Sequence, residues 1–256
     1  MWTRSLALAS GLAFAIWGDP AFAQAALDRD VLAAHGFEIA SFKPADAFSG
    51  PPDESALSGQ PFRFTRALEE SEEPRLTHII GGWSYDRQTQ TLRIGISTAG
   101  WQRRQLPDAE AEEFMHYGLR VGTRNLSDQM TMAQNAYGAQ FEVHSIEAQA
   151  VQVAPLTRRE RAASVDIPSN MFADVQMVPE EARAAVAGAE VVVEGVLAAV
   201  APGRITLCYD SGSSATINLR LSTLTHTCVM NARITRVAVV AADGRTLTEW
   251  TAAGAR

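Results

Sequence analysis

The chain offers few residues able to do chemistry, and their spacing is uninformative. Its five histidines are His35, His78, His116, His144 and His226. His78, His116 and His144 fall on three separate stretches that read as strands. Were those strands neighbours, the three imidazoles could converge, with Glu112 or Glu113 as a further ligand or base, since zinc sites commonly use three such groups. No His-Glu-x-x-His run or close histidine pair occurs, so the reading that each histidine lies on a polar strand face is favoured over a metal site. Trp83, Tyr85 and Trp101 cluster around one sequence hairpin. Exposed together they would stack on a sugar or a peptide; buried together they are core, and the core reading is the favoured one.

Several mechanisms are excluded by composition. Lys43 is the one lysine among 22 basic residues, and it precedes Pro44 in a polar stretch that suits neither a Schiff base nor a general base. The Gly-Lys-Ser/Thr run of a phosphate-binding loop is absent, as is Ser-x-x-Lys. Gly95-Ile96-Ser97-Thr98-Ala99-Gly100 misses a Gly-x-Ser-x-Gly elbow by one residue, leaving Ser97 as a strand-end serine. Ser211, Ser213 and Ser214 are turn residues. Paired carboxylates for glycoside hydrolysis depend on spatial separation, which sequence does not carry. No motif calls for a cofactor.

Cys208 and Cys228 are the only cysteines. In an exported chain two cysteines pair with each other. Closure of a loop of this size contributes about 3 kcal/mol in the chain-entropy account. A redox-active pair would sit two residues apart at a helix start, and these occupy different strand-like runs. Export itself is indicated by Met1–Ala23. Arg4 precedes an apolar core, Leu6–Trp17, followed by Gly18, Asp19 and Pro20 and by the small-residue pattern Ala21-Phe22-Ala23. The core is short against the roughly 20 residues a membrane span needs. Cleavage between Ala23 and Gln24 is expected, with a periplasmic or secreted product, no lipid-anchoring cysteine and no transmembrane segment afterwards. Removing Arg4 and Asp19 leaves the net charge at −7, which argues against a nucleic-acid partner.

The elements that must position these residues read as short strands. A short helix is expected within Gln24–Phe37, stopping at Gly36, then loop over Ala45–Gln60 and a strand starting at Phe62-Arg63-Phe64. Glu69–Pro74 reads as a solvated acidic loop rather than a cation site. Leu76–Tyr85 and Thr91–Ser97 form the clearest hairpin, with Leu92, Ile94 and Ile96 alternating and Gly81-Gly82 marking a bulge or a close backbone approach. At most one helical turn in Pro107–Glu113 precedes a strand over Phe114–Val121. Another strand covers Ala139–Val153, entered from the Asn135–Gly138 turn and changing parity near Ser145–Glu147. Pro155–Asn170 reads as linker. Pro179–Ala187 has the marks of a helix: proline in the first turn, Glu180 and Glu181 at the positive dipole end, Gly188 as the stop.

The last stretch is a stapled β unit. Ile205, Leu207 and Tyr209 alternate, then Ile217, Leu219 and Leu221, with Asp210–Ser214 between them. Val237 and Val239 switch parity relative to Cys228–Ile234, implying a bulge near Arg236, and Ala242–Arg245 is a turn into a last strand. The fold class is therefore mainly β, as two small antiparallel units, the second a disulfide-stapled barrel or sandwich. The segments are residues 1–23 (signal), 24–56 (helix and loop), 57–154 (first β domain), 155–188 (linker with a short helix) and 189–256 (second β domain). The function this favours is non-catalytic binding of an envelope protein or small ligand. The alternative is an envelope hydrolase built on carboxylates or a histidine-bound metal. An aromatic groove or open strand edge favours the first, and a cavity where imidazoles and acids converge favours the second.

Overall fold

One strand of 20 residues, β11 (Leu221–Val240), organises the molecule. In the computed structural model, residues 25–46, 49–71, 81–102, 104–110, 115–216, 218 and 220–252 are described. The expected signal segment, His78, Glu112 and Glu113 lie outside them, as do Leu76–Ile80, Phe114, Ile217 and Leu219.

Along its first half β11 pairs with β10 (Thr206–Ser213) and β7 (Gln140–Ala154). Along its second half it pairs with β9 (Glu190–Leu197) and β12 (Thr246–Thr251). A strand flanked on both edges over its length reads as a continuous apolar run, and Thr227–Ala232 is buried on both faces. The sheet continues through β6 (His116–Gln134) to β5 (Ala99–Trp101) on one side and through β9 to β1 (Pro61–Ala67) on the other. Strands from both stretches anticipated as separate β units therefore share one sheet. The β7–β11 pair is parallel, unlike the antiparallel arrangement anticipated. Parallel neighbours need a long crossover, and more than sixty residues separate these two strands.

The second sheet has the order β2-β3-β4-β8: β2 (Glu69–Glu70), β3 (Gly81–Asp86), β4 (Thr91–Ser97) and β8 (Asn170–Gln176). Glu69 and Glu70, read from sequence as part of a solvated loop, are paired in parallel with Gly82 and Trp83. Leu92, Ile94 and Ile96 of β4 share a core with Val191 and Val193 of β9 and Val237 and Val239 of β11. The main core thus lies between the sheets. Gly81 marks the close approach its sequence position suggested: a Cβ there would lie 2.4 Å from Val191 Cγ2. The bulge expected near Arg236 is present, because the β9 register shifts between Ile234 and Arg236. In the β6–β7 hairpin the nearer shift is carried by β6, between Asn125 and Ser127, opposite Glu147 and Ala148.

Helix α1 (Arg29–Ser41) starts at Asp28, whose carboxylate accepts the Val31 N–H at 2.9 Å. It runs past Gly36, the expected stop. That glycine serves packing instead, since a Cβ on it would lie 2.4 Å from Val151 Cγ1 of β7. Helix α2 (Arg158–Ala162) occupies the stretch read as linker and is tied down beyond its end, where Val165 N–H donates to Ile234 O at 2.8 Å. Helix α3 (Pro179–Val186) forms as expected, and Gly188 follows with φ of +72°. Cys208 and Cys228 sit directly opposite each other on β10 and β11, Cα atoms 4.1 Å apart, joined as a disulfide.

The loop read over Ala45–Gln60 conceals a buried anion. Glu54 is 3% exposed, and its carboxylate accepts bonds from Ile205 N–H (2.9 Å), Thr206 N–H (3.0 Å) and Thr206 Oγ1 (2.6 Å). His35 Nε2 of α1 lies 2.6 Å away on the same group. Burial pushes the Glu54 carboxyl up, but the bonds from His35, Thr206 and the two backbone amides outweigh it and hold it below the ordinary glutamate value.

Candidate functional site

Alternation along β3 puts Gly81, Trp83 and Tyr85 on the face that meets the other sheet. The row ends at the rim of the interface, where Trp83 and Tyr85 remain half-buried. Helix α3 stands beside them because the chain turns from β8 straight into Pro179. Ala182 and Val186, one helical turn apart, face inward. Tyr85 is held by its hydroxyl, which donates to Met177 O at 2.9 Å. The result is an open groove of about 750 Å³ lined by Trp83, Tyr85, Arg87, Glu70, Glu180 and Arg183, with Pro179, Ala182, Val186 and Ala187 completing the helix wall. The side chains of Arg87, Arg183, Glu70 and Glu180 form no hydrogen bond or ion pair among the described residues. An aromatic floor with charge of both signs on its rim is suited to a ligand bearing a flat apolar group between opposite charges.

Trp101, the third aromatic of the sequence cluster, is elsewhere. It is 1% exposed in a smaller core with Leu106, Ala154, Leu156, Leu207 and Val229, its ring stacked on His116 at 4.8 Å between centroids. Trp83 and Tyr85 are thus brought together and Trp101 is not.

The two described histidines of the trio read from sequence, His116 and His144, do not converge. His144 lies opposite Met130 of β6, about 14 residues along that strand from His116. At roughly 3.3 Å per strand residue this separates them by on the order of 40 Å, beyond any shared ion. His144 Nε2 lies 2.5 Å from Asp128 Oδ1. Among the described residues no three His, Cys, Asp or Glu side chains are placed to hold a metal ion.

Among the described histidines, His226 has a carboxylate at each ring nitrogen. Cross-strand pairing puts Asp210 on one side of it and Gln149 on the other. Nδ1 lies 2.7 Å from Asp210 Oδ1, and Nε2 lies 3.1 Å from Glu147 Oε1. The bond to Asp210 and that to Glu147 raise its pKa above the ordinary imidazole value against a lowering by burial. With a carboxylate on each nitrogen, the ring has no lone pair left to activate a nucleophile. This arrangement ties β10, β11 and β7 together one row from the disulfide.

Sequence reasoning missed the groove's charged walls. Glu70 falls in a stretch that reads as loop, Arg87 in the connection between the two hairpin strands, and Glu180 and Arg183 read only as parts of a helix. The available signal was the i, i+4 pair Ala182 and Val186, an apolar stripe on a helix too short to stand alone. No family model matches the chain, and neither a curated protein nor a solved structure does. No helix of the described residues is long and apolar enough to cross a membrane.

Proposed function

We propose that the protein is exported, matured by cleavage between Ala23 and Gln24, and works in the periplasm or outside the cell as a non-catalytic binding protein. The groove between β3 and α3 takes the ligand. The observation that carries this reading is the pairing of an aromatic floor, Trp83 and Tyr85, with four rim charges that have no partner among the described residues, in one open cavity. The chemistry that fits is a short peptide: an aromatic or proline side chain lies on the Trp83 ring, and the peptide's carboxylate and ammonium groups meet the arginines and glutamates. The leader-like amino terminus and the formed disulfide support the compartment.

The test titrates free tripeptides, with and without a central aromatic or proline, into the mature protein while following tryptophan emission. Saturable quenching by the aromatic or proline set is expected. It is expected to vanish in W83A and to weaken at least tenfold in R183A, with circular dichroism unchanged. Retention of full affinity in W83A would overturn the reading. One further observation favours a second reading. Glu70 and Glu180 both line the groove, a pair of carboxylates on which a hydrolase would draw. Product release from peptide or glycan probes by wild-type protein, abolished in E180Q, would establish hydrolysis in place of simple binding.

A further inference from the structure

The outer edge of β6 is open. β5 covers it only at His116–Gly118, and among the described residues no other strand pairs with that edge. The direction of its backbone groups follows from β7. His144 N–H donates to Arg220 O at 2.9 Å, so it points away from β6. His144 and its opposite residue Met130 are therefore a non-hydrogen-bonded pair, and the N–H and C=O of Met130 point outward as well. From Ser127 to Gln134 the register is unbroken, so the same holds for Asp128, Met132 and Gln134.

Exposed edges in native proteins are blunted by lysine, proline, bulges or cover. Residues 127–134, Ser-Asp-Gln-Met-Thr-Met-Ala-Gln, contain no basic residue and no proline, and Asp128 is their one charge. Met130 and Met132 share one face, 62% and 63% exposed.

We propose that this edge pairs with a second copy of the chain, antiparallel, about a two-fold axis at Thr131. The segment is self-complementary in that register. Met130 faces Met132 of the second copy, and Met132 faces its Met130, so outward-pointing groups meet in hydrogen-bonded pairs and four methionine side chains cover one another. Asp128 faces Gln134 of the second copy, a charge against an amide. Moving the axis by one residue to Met130 sets Asp128 against Met132 instead, leaving a carboxylate on an apolar side chain. The axis at Thr131 also makes the contact isologous and closed, which limits it to a dimer. No groove residue takes part, so the dimer and the peptide site stand or fall separately.

Sedimentation equilibrium of the mature, oxidised protein gives the first test, and a monomer–dimer equilibrium is expected. M132K, which puts an ammonium group into the methionine cluster, is expected to weaken it at least tenfold without loss of circular dichroism. The register is read by single cysteines. T131C places two sulfurs on directly opposed residues of a non-hydrogen-bonded pair, Cα atoms about 4.5 Å apart, and mild oxidation is expected to give a covalent dimer. Q129C alone should not self-link, because its opposite residue is Ala133, whereas Q129C mixed with A133C should. A wild-type protein that stays monomeric to millimolar concentration would overturn the proposal. So would Q129C linking to itself as readily as T131C.

Discussion

Replacing Glu54 with alanine tests the internal logic of the fold more sharply than any surface change. The carboxylate accepts four hydrogen bonds while 3% exposed. Two donors are backbone amides, Ile205 and Thr206, at the start of β10, where both residues are buried. Each donor stranded by E54A costs about 1–3 kcal/mol, and a bond to a charged acceptor contributes about 1.5–3 kcal/mol. These terms do not add fully, and losing one partner of a buried charged cluster typically costs about 3–5 kcal/mol. We expect E54A to fall in that range. E54Q retains one accepting oxygen but turns an amide N–H₂ toward existing donors, so a smaller loss of about 1–2 kcal/mol is expected. The pH dependence has a definite sign. The folded carboxyl sits below the ordinary glutamate value of 4.5. Its contribution is therefore present above that value and is lost as pH falls through the lower, folded one. Urea unfolding of the oxidised protein at pH 7 and across the acid range, followed by circular dichroism, measures both effects. A loss below 1 kcal/mol in E54A, or an acid limb unchanged in E54Q, would refute the assignment of Glu54 as a buried, ionised anchor.

Three further outcomes are expected. The C208S/C228S double variant should lose about 3 kcal/mol, the chain-entropy value for the 20-residue separation of the bridged cysteines, and the native protein should show no free thiol in a titration before reduction. His226 should titrate above the ordinary imidazole value by NMR, with D210N bringing it down. Because the folded value is raised, its contribution to stability is complete below the ordinary value and fades as pH rises through the folded one. H226Q should remove that slope. Gly195→Ala should cost about 1–3 kcal/mol by overpacking, since the added Cβ would lie 2.4 Å from Arg233 O and 2.6 Å from the Phe62 ring. Wild-type stability in that variant would mean the β9–β11 contact is looser than described.

Local pattern and spatial assembly separate cleanly in this chain. The alternation of Leu92, Ile94 and Ile96, the Asn135–Gly138 turn, the parity switch at Arg236 and the proline-led helix at 179–186 were legible because each rests on backbone periodicity or on a residue with special φ. The pairing of β1 with β9 and of β7 with β11 was not, because strand alternation states which face a residue takes and is silent about its neighbour. The same limit explains the histidines. His116 and His144 sit on adjacent strands of one hairpin, yet a 19-residue strand keeps them apart, and no count of residues revealed that β6 would run so far. Gly36 was misread for a related reason: a glycine near a helix end and a glycine under a crossing strand carry the same letter. Glu54 was hidden because a buried carboxylate needs its donors from distant chain, here His35 and Ile205–Thr206.

Strand length links these observations to the two proposed surfaces. A short β6 would have ended under β5 and left no edge. At its observed length, β6 with β7 projects past the main core, so that residues from Thr123 to Arg124 onward are mostly exposed while Leu119, Val121, Val151 and Val153 are fully covered. Burial of one end contributes the stability that holds the other end out, paired on a single side. The groove has a similar origin: β3 extends its aromatic row to the rim of the sheet interface, where α3 rather than a strand closes the side. In both places the surface proposed for binding lies where an element outruns the partner that would have covered it.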